Sequence, residues 1–329
     1  MLYIIKYLFL MFSFFCFTQS NALETDWSTQ NESKLRLISP LTTNNDQKEI
    51  YVGLEYKLQD DWKTYWKSPG DGGFPQNINW QNSKNIKSLK ILWPTPKQFE
   101  ILDIKSLGYE NNVIFPLKII LKNVSKETLI KLDLNYLICK DICIPGQAFL
   151  ELNIPSNKGD LTEYSFIMEK TLSELPNEFI DLSFVKNAKS EIFSDNELIS
   201  FIVKSEARYF YEEPSVFLHT EYGLPVIDPI ISLSPDSKFL EAKFIFNKNL
   251  LNEKNIKLEF LISDQNQSFI FVENNLIQNK IENSSSLLIF IIIIAFAGGL
   301  ILNVMPCVLP VLSIKVLSFI KNIEKPLKI

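Results

Sequence analysis

The sequence predicts a mostly β protein, with two immunoglobulin-like β-sandwich domains followed by a transmembrane α-helix. Three observations carry that prediction. Apolar and polar residues alternate with period two over many short stretches, the mark of half-buried strands. Between two groups of such stretches, one segment switches to a helical period and stops at a proline. Near the C-terminus, Leu287 to Leu312 carries no charge and apolar character continues to Ile320. That is enough to cross a hydrocarbon core, which needs about 20 apolar residues.

The first element is an export signal over residues 1–22. Lys6 gives the positive flank, Leu8 to Phe17 the apolar stretch, and Ser20-Asn21-Ala22 a small-x-small cleavage site; a short membrane anchor is the competing reading. The first sandwich is expected over 23–157. In Glu49–Leu58 the residues Ile50, Val52, Leu54, Tyr56 and Leu58 alternate with mostly polar neighbours, as do Ile130, Leu132, Leu134, Tyr136 and Ile138 later. Leu161, Tyr164, Met168, Leu172 and Leu175 then recur at helical spacing, and Pro176 closes the segment. This helix leads the second sandwich, 158–276, whose strands include Ala242-Phe244-Phe246 and Ile256-Leu258-Phe260-Ile262. Many short strands separated by turn residues favour immunoglobulin-like sandwiches. A polar linker, 277–286, leads to the transmembrane segment, 287–320.

Composition narrows the function. The chain has 33 Lys and Arg against 38 Asp and Glu, with no basic stripe, which argues against nucleic acid as a partner. His219 is the single histidine and reads as a plain strand residue, so histidine-based metal or triad chemistry has almost nothing to build on. No cofactor or metal site is expected. Trp27, Trp62, Trp66, Trp80 and Trp93 all fall in the first hundred residues, which supports two distinct soluble domains. Export places the soluble part outside the cytoplasm. Lys315, Lys321, Lys325 and Lys328 then lie on the inner side, in accord with the positive-inside rule.

Cys16 leaves with the signal segment, so Cys139, Cys143 and Cys307 remain in a chain bound for an oxidising compartment. Residues four apart in a continuous strand lie about 13 Å apart, beyond the span of a disulfide. A three-residue hairpin loop at Lys140–Ile142 would bring Cys139 and Cys143 opposite each other. Cys139 is in phase with Lys131, Asp133 and Asn135, and Cys143 with Gln147, Glu151 and Asn153. Both sulfurs are therefore expected at an accessible strand end. A bond there would close a short loop, with an entropic gain at the low end for disulfides. Position alone leaves a structural clip and a redox centre both open. Lys140 favours a thiolate and Asp141 opposes it. Two cysteines without a nearby histidine cannot fill a zinc site.

Cys307 lies between Pro306 and Pro310 inside the apolar run. Each proline frees a backbone carbonyl, tolerated in lipid only where protein or a water-filled cavity supplies a partner. Cys307 is thus expected at a break facing the interior of a membrane bundle; a buried cysteine beside a kink is the bland alternative.

Phe296-Ala297-Gly298-Gly299-Leu300-Ile301-Leu302-Asn303-Val304-Met305-Pro306-Cys307-Val308-Leu309-Pro310 resembles the first transmembrane helix of DsbD/ScsB-type thiol:disulfide interchange proteins. Tyr136-Leu137-Ile138-Cys139-Lys140-Asp141-Ile142-Cys143-Ile144-Pro145-Gly146 resembles the redox motif of their periplasmic N-terminal region, as does the stretch from Trp62 to Pro75. The resemblance implies a relay at the bacterial inner membrane, with the bulk of the chain in the periplasm. Reducing equivalents pass from cytoplasmic thioredoxin, through a membrane cysteine pair, to periplasmic thioredoxin-fold proteins such as disulfide isomerases and cytochrome c maturation partners. It also implies that Cys139 and Cys143 are the periplasmic pair, Cys143 the nucleophile, and Cys307 half of the membrane pair. The family's further membrane helices, its second membrane cysteine and a Cys-x-x-Cys thioredoxin-like motif do not occur before Ile329. The expectation is a fragment of a longer protein rather than a degenerate form. Tyr65, Trp66 and Phe74 have two readings: a cover over the disulfide, or ordinary core and turn residues, the second being favoured. The competing function is a membrane-tethered β-sandwich binding module with a structural disulfide.

Overall fold

The computed structural model describes residues 22–276 except 71, 102, 179–183, 196, 221–222, 251–254 and 266, together with 290, 292–299 and 314–320. The predicted signal segment, apart from Ala22, lies outside the described residues, as do the predicted linker and Cys307 with both flanking prolines. The chain divides into two units, Met1–Gln278 and Asn279–Ile329. The described parts of the second unit are helical at 292–299 and 314–320. No described helix is long and apolar enough to cross a membrane, and the predicted transmembrane segment falls in large part outside the described residues.

The first unit is mostly β. Its N-terminal portion pairs two antiparallel sheets. One runs, in spatial order, β1 (Ser28–Gln30), β2 (Ser33–Ile38), β3 (Glu49–Leu58), β9 (Asn112–Leu121) and β6 (Ile86–Ile91). The other runs β11 (Cys143–Ile154), β10 (Thr128–Cys139), β4 (Lys63–Tyr65), β8 (Ile104–Glu110) and β7 (Lys97–Ile101), with β5 (Asn77–Asn79) also on β10. The period-two residues of β3 and β10 meet between the sheets: Val52, Leu54 and Tyr56 share one core with Ile130, Leu132, Leu134 and Tyr136. Tyr56 sits edge-on to both Phe115 and Tyr136. The Tyr136 hydroxyl lies 2.8 Å from Ser33 Oγ, which satisfies a polar group that would otherwise be buried without a partner. Across the β10–β11 ladder, Gly146 stands opposite Tyr136; a Cβ there would lie 2.4 Å from the phenol ring, so only glycine admits the side chain.

The C-terminal portion repeats the plan with a second core. Its sheets run β12 (Val185–Ser194), β13 (Leu198–Ala207), β16 (Phe239–Asn247), β15 (Ile230–Leu233), and β14 (Ser215–Thr220), β17 (Asn255–Asp264), β18 (Gln267–Leu276). Phe201, Phe244, Phe246, Phe260 and Phe269 fill the space between them. Burying each such side chain contributes roughly 1.5–3 kcal/mol.

The predicted helix forms as α1 (Ser165–Ser173), shorter than its apolar pattern, with Met168 buried and Leu161 exposed. It packs on the first sandwich. Met168 Sδ occupies the space that a Cβ on Gly53 of β3 would fill, Leu41 bridges to Leu161, and Thr162 Oγ1 donates to the Ser39 carbonyl.

The sandwiches also touch directly. Phe217 and His219 of β14 stand opposite Leu261 and Glu259 of β17, on the sheet face turned away from the second core. Leu261, Phe217 and Ile270 pack into the first sandwich's core instead. A strand face that reads as solvent-facing is thereby covered.

Candidate disulfide exchange site

The site lies at the free end of the β10–β11 hairpin. Alternation along both strands fixes a single register, from Thr128 opposite Ile154 to Cys139 opposite Cys143. Lys140–Ile142 forms the loop, closed by the Lys140 amide donating to the Ile142 carbonyl at 3.1 Å. Cys139 and Cys143 are bonded, with Cα atoms 4.1 Å apart.

The two sulfurs have unlike surroundings. Cys143 is exposed, in phase with exposed Gln147, Glu151 and Asn153, as the alternation predicts. Cys139 is wholly buried, which corrects the expectation that both sulfurs are accessible. Its side of β10 is polar further along, at Lys131, Asp133 and Asn135, but at its end that side is roofed. Tyr65 and Ile101 bury against Cys139, with Phe99 and Leu137 beside them. β10 pairs with β4 at Ile138–Thr64 and Cys139–Lys63, β4 pairs with β8, and β8 with β7. That order carries Tyr65, Phe99 and Ile101 over the sulfur. Strand phase in one segment holds no information about which neighbours cross above it.

Tyr65 is the chemically informative member of the roof. Its hydroxyl lies 2.9 Å from Cys139 Sγ, 3.7 Å from Cys143 Sγ and 3.0 Å from the Gly72 carbonyl. Burial pushes the phenol up to about 12, so it keeps its proton at neutral pH. That proton has two acceptors in reach. It sits best on the carbonyl while the sulfurs are bonded, and can turn to a Cys139 thiolate when one forms, because a charged acceptor holds it more strongly. Of the other aromatics weighed as a cover, Trp66 belongs to the main core and Phe74 is 52% exposed. Tyr65 thus departs from the favoured reading of an ordinary core residue, while Trp66 keeps to it.

Neither nearby ammonium is free to act on the sulfurs alone. Lys140 Nζ pairs with Asp61 at 2.9 Å, which raises its pKa, and Lys63 Nζ pairs with Glu110 at 3.2 Å.

The segment after Tyr65 folds back onto it. Gly73 approaches so closely that a Cβ would lie 2.5 Å from the Tyr65 ring. His219, read from sequence as a plain strand residue, meets this segment. Its Nδ1 lies 2.7 Å from Ser68 Oγ and its ring stands edge-on to Trp66. Burial, and secondarily the Lys67 ammonium, lower it from the usual 6.5 to about 4, so it is neutral at pH 7. Nothing in the spacing of Ser68 and His219 along the chain signals that contact.

The family described as "Thiol:disulfide interchange protein DsbD, N-terminal" matches residues 37–155, which hold the whole β10–β11 hairpin and Tyr65. Among solved structures, the N-terminal periplasmic domain of ScsB from Proteus mirabilis superposes with a TM-score of 0.62 at 18% identity, covering 77% of this chain and 98% of that one. No curated protein sequence matches the chain. Residues 37–155 thus match the N-terminal domain of DsbD-type proteins, and this match, with the fold shared with ScsB, supports a DsbD/ScsB-type thiol:disulfide interchange protein.

Proposed function

We propose that the chain carries out thiol–disulfide exchange through Cys139 and Cys143, passing reducing equivalents from a membrane relay to periplasmic thioredoxin-fold proteins. The observation that carries this reading is the asymmetry of the pair: an exposed Cys143 sulfur bonded to a buried Cys139 sulfur that has a phenol proton beside it. A protein partner reaches Cys143 first.

In the reduced state the Cys143 thiolate attacks a partner disulfide. A Cys143–partner mixed disulfide forms, and the partner's other sulfur leaves as a thiolate and takes up a proton. The Cys139 thiolate, held by the Tyr65 hydroxyl, then attacks the Cys143 sulfur. The Cys139–Cys143 bond forms, the partner's second thiolate leaves, and two electrons have passed to the partner. Recharging runs the same steps backwards: an upstream thiolate attacks the Cys143 sulfur, Cys139 leaves as the thiolate that Tyr65 holds, and the upstream dithiol ends as a disulfide.

The wider setting rests on the sequence and on the resemblance. Residues 1–22 are a signal peptide, 23–157 and 158–276 the two sandwiches, 277–286 a linker, and 287–320 the start of a membrane domain in the inner membrane. Cys307 is half of the membrane pair, drawing electrons from cytoplasmic thioredoxin through further helices. Disulfide isomerases and cytochrome c maturation proteins are the downstream substrates.

The reduction potential of the Cys139–Cys143 pair tests the reading. It is expected above about −300 mV, the region of exchangeable bonds, as measured by equilibration with glutathione or dithiothreitol. A value well below that marks a structural clip, and with it the membrane-tethered binding module.

A further inference from the structure

The segment that buries Tyr65 is held from the other sandwich. Lys67 Nζ pairs with Glu259 of β17, in a contact where both side chains are mostly buried. Ser68 Oγ meets His219 Nδ1 at 2.7 Å, and Trp66 stands edge-on to the same ring. Gly70 has φ of 85° and lies so near Val226 that a Cβ would approach its Cγ2 to 2.7 Å. Two residues on, the Gly72 carbonyl accepts from the Tyr65 hydroxyl, and Gly73 packs on the Tyr65 ring. A continuous line of contact therefore runs from Glu259, His219 and Val226 through the segment to Tyr65 and on to Cys139 Sγ.

We infer that the second sandwich is a clamp: His219 and Glu259 are positioning residues that hold the segment closed over Tyr65 and so keep the Cys139 sulfur covered while Cys143 stays open. The physical case lies in where the contacts sit. The segment turns through a positive-φ glycine, which supplies no side-chain packing of its own. Its ties within the first sandwich include the Leu107 amide donating to the Pro69 carbonyl at 3.3 Å and the Gly73 amide donating to the Gly70 carbonyl at 3.4 Å. These are long for amide hydrogen bonds. The Trp66 amide on the Leu107 carbonyl at 2.9 Å and the Tyr65 hydroxyl on the Gly72 carbonyl anchor the two ends of the segment. The ion pair and the Ser68–His219 contact hold the stretch between them from the second sandwich, and local opening is governed by such bonds rather than by global stability. The inference deepens the exchange reading by assigning the second sandwich a part in deciding which sulfur is reached.

The test uses the full chain after reduction and reads iodoacetamide labelling of Cys139 and Cys143 separately by mass spectrometry. In the wild type, Cys143 is expected to label fast and Cys139 slowly. S68A, H219A and E259Q are expected to raise the Cys139-to-Cys143 labelling ratio roughly five- to tenfold, the change in opening equilibrium when one part-buried hydrogen bond or ion pair is lost. F201L is the control, since Phe201 lies in the second core and destabilises that sandwich without touching the segment. It is expected to leave the ratio unchanged, with circular dichroism showing each variant folded. S68A removes one part-buried hydroxyl and no ring or charge, and keeps the test open should a larger substitution not fold. A ratio unmoved in folded S68A, or raised equally by F201L, overturns the clamp. Labelling needs no redox partner, so failure of the exchange reading shows separately, in the reduction potential.

Discussion

Two hairpins in this molecule end differently, and the contrast bears on what the disulfide is for. The β17–β18 hairpin closes at Asp264 opposite Gln267 without any covalent link. The Asp264 carboxylate accepts the amides of Glu212 and Glu213 at 3.0 and 2.9 Å, tying the hairpin end to a neighbouring loop. The β10–β11 hairpin ends in the Cys139–Cys143 bond, although its ladder already runs in one register from Thr128–Ile154 up to that point. A strand pair of this length, with one face in the core, needs no clip to hold its register. The second hairpin shows the polar solution the fold uses when closure alone is wanted. A bond added where closure is already assured, with one sulfur exposed and one covered, fits chemistry better than stapling.

The sharpest way to break that comparison is to remove the sulfurs one at a time. With Cys139→Ala, the exposed Cys143 should trap a mixed disulfide with a thioredoxin-fold partner, visible as a crosslinked band lost on reduction. Cys143→Ala should trap little, because the remaining sulfur is buried. Equal trapping by both would remove the asymmetry on which the reading stands.

A smaller effect compares the hairpin ends as closures. The double variant Cys139→Ala/Cys143→Ala should stay folded and lose about 2 kcal/mol, the loop-entropy expectation for so short a loop. Asp264→Ala should lose a similar amount, about 2–3 kcal/mol, because two part-buried amide bonds to a carboxylate go with it. Urea unfolding of both variants checks this. Collapse of the double cysteine variant beside a mild Asp264→Ala would make the disulfide the structural member of the two.

Smallest is the removal of one oxygen. Tyr65→Phe keeps the roof and takes away the proton that faces Cys139 Sγ. Loss of a hydrogen bond to a thiolate should slow exchange about tenfold with little change in unfolding. Stopped-flow kinetics with a reduced thioredoxin would show it; an unchanged rate would leave Tyr65 as cover only.

The alternation of Ile50 to Leu58 and of Ile130 to Ile138 was enough to predict mostly β structure, and the phase of Cys143 with Gln147 and Glu151 to predict its exposure. The three-residue loop that pairs the cysteines was legible for the same reason: strand period and turn length are local quantities. Local pattern likewise found the helix around Met168, though not the sandwich it packs against, since Gly53 lies more than a hundred residues earlier.

What only the tertiary structure decided is everything that crosses between strands distant in sequence. Cys139 is buried because β4, β8 and β7 bring Tyr65, Phe99 and Ile101 over it, and strand order within a sheet is not written in any one strand's period. His219 read as a plain strand residue, and Glu259 lies between the alternating Leu258 and Phe260; both are outward from their own core. They became contacts because a second sandwich covers that face, and burial by another domain leaves no mark in the alternation of the strand that carries them.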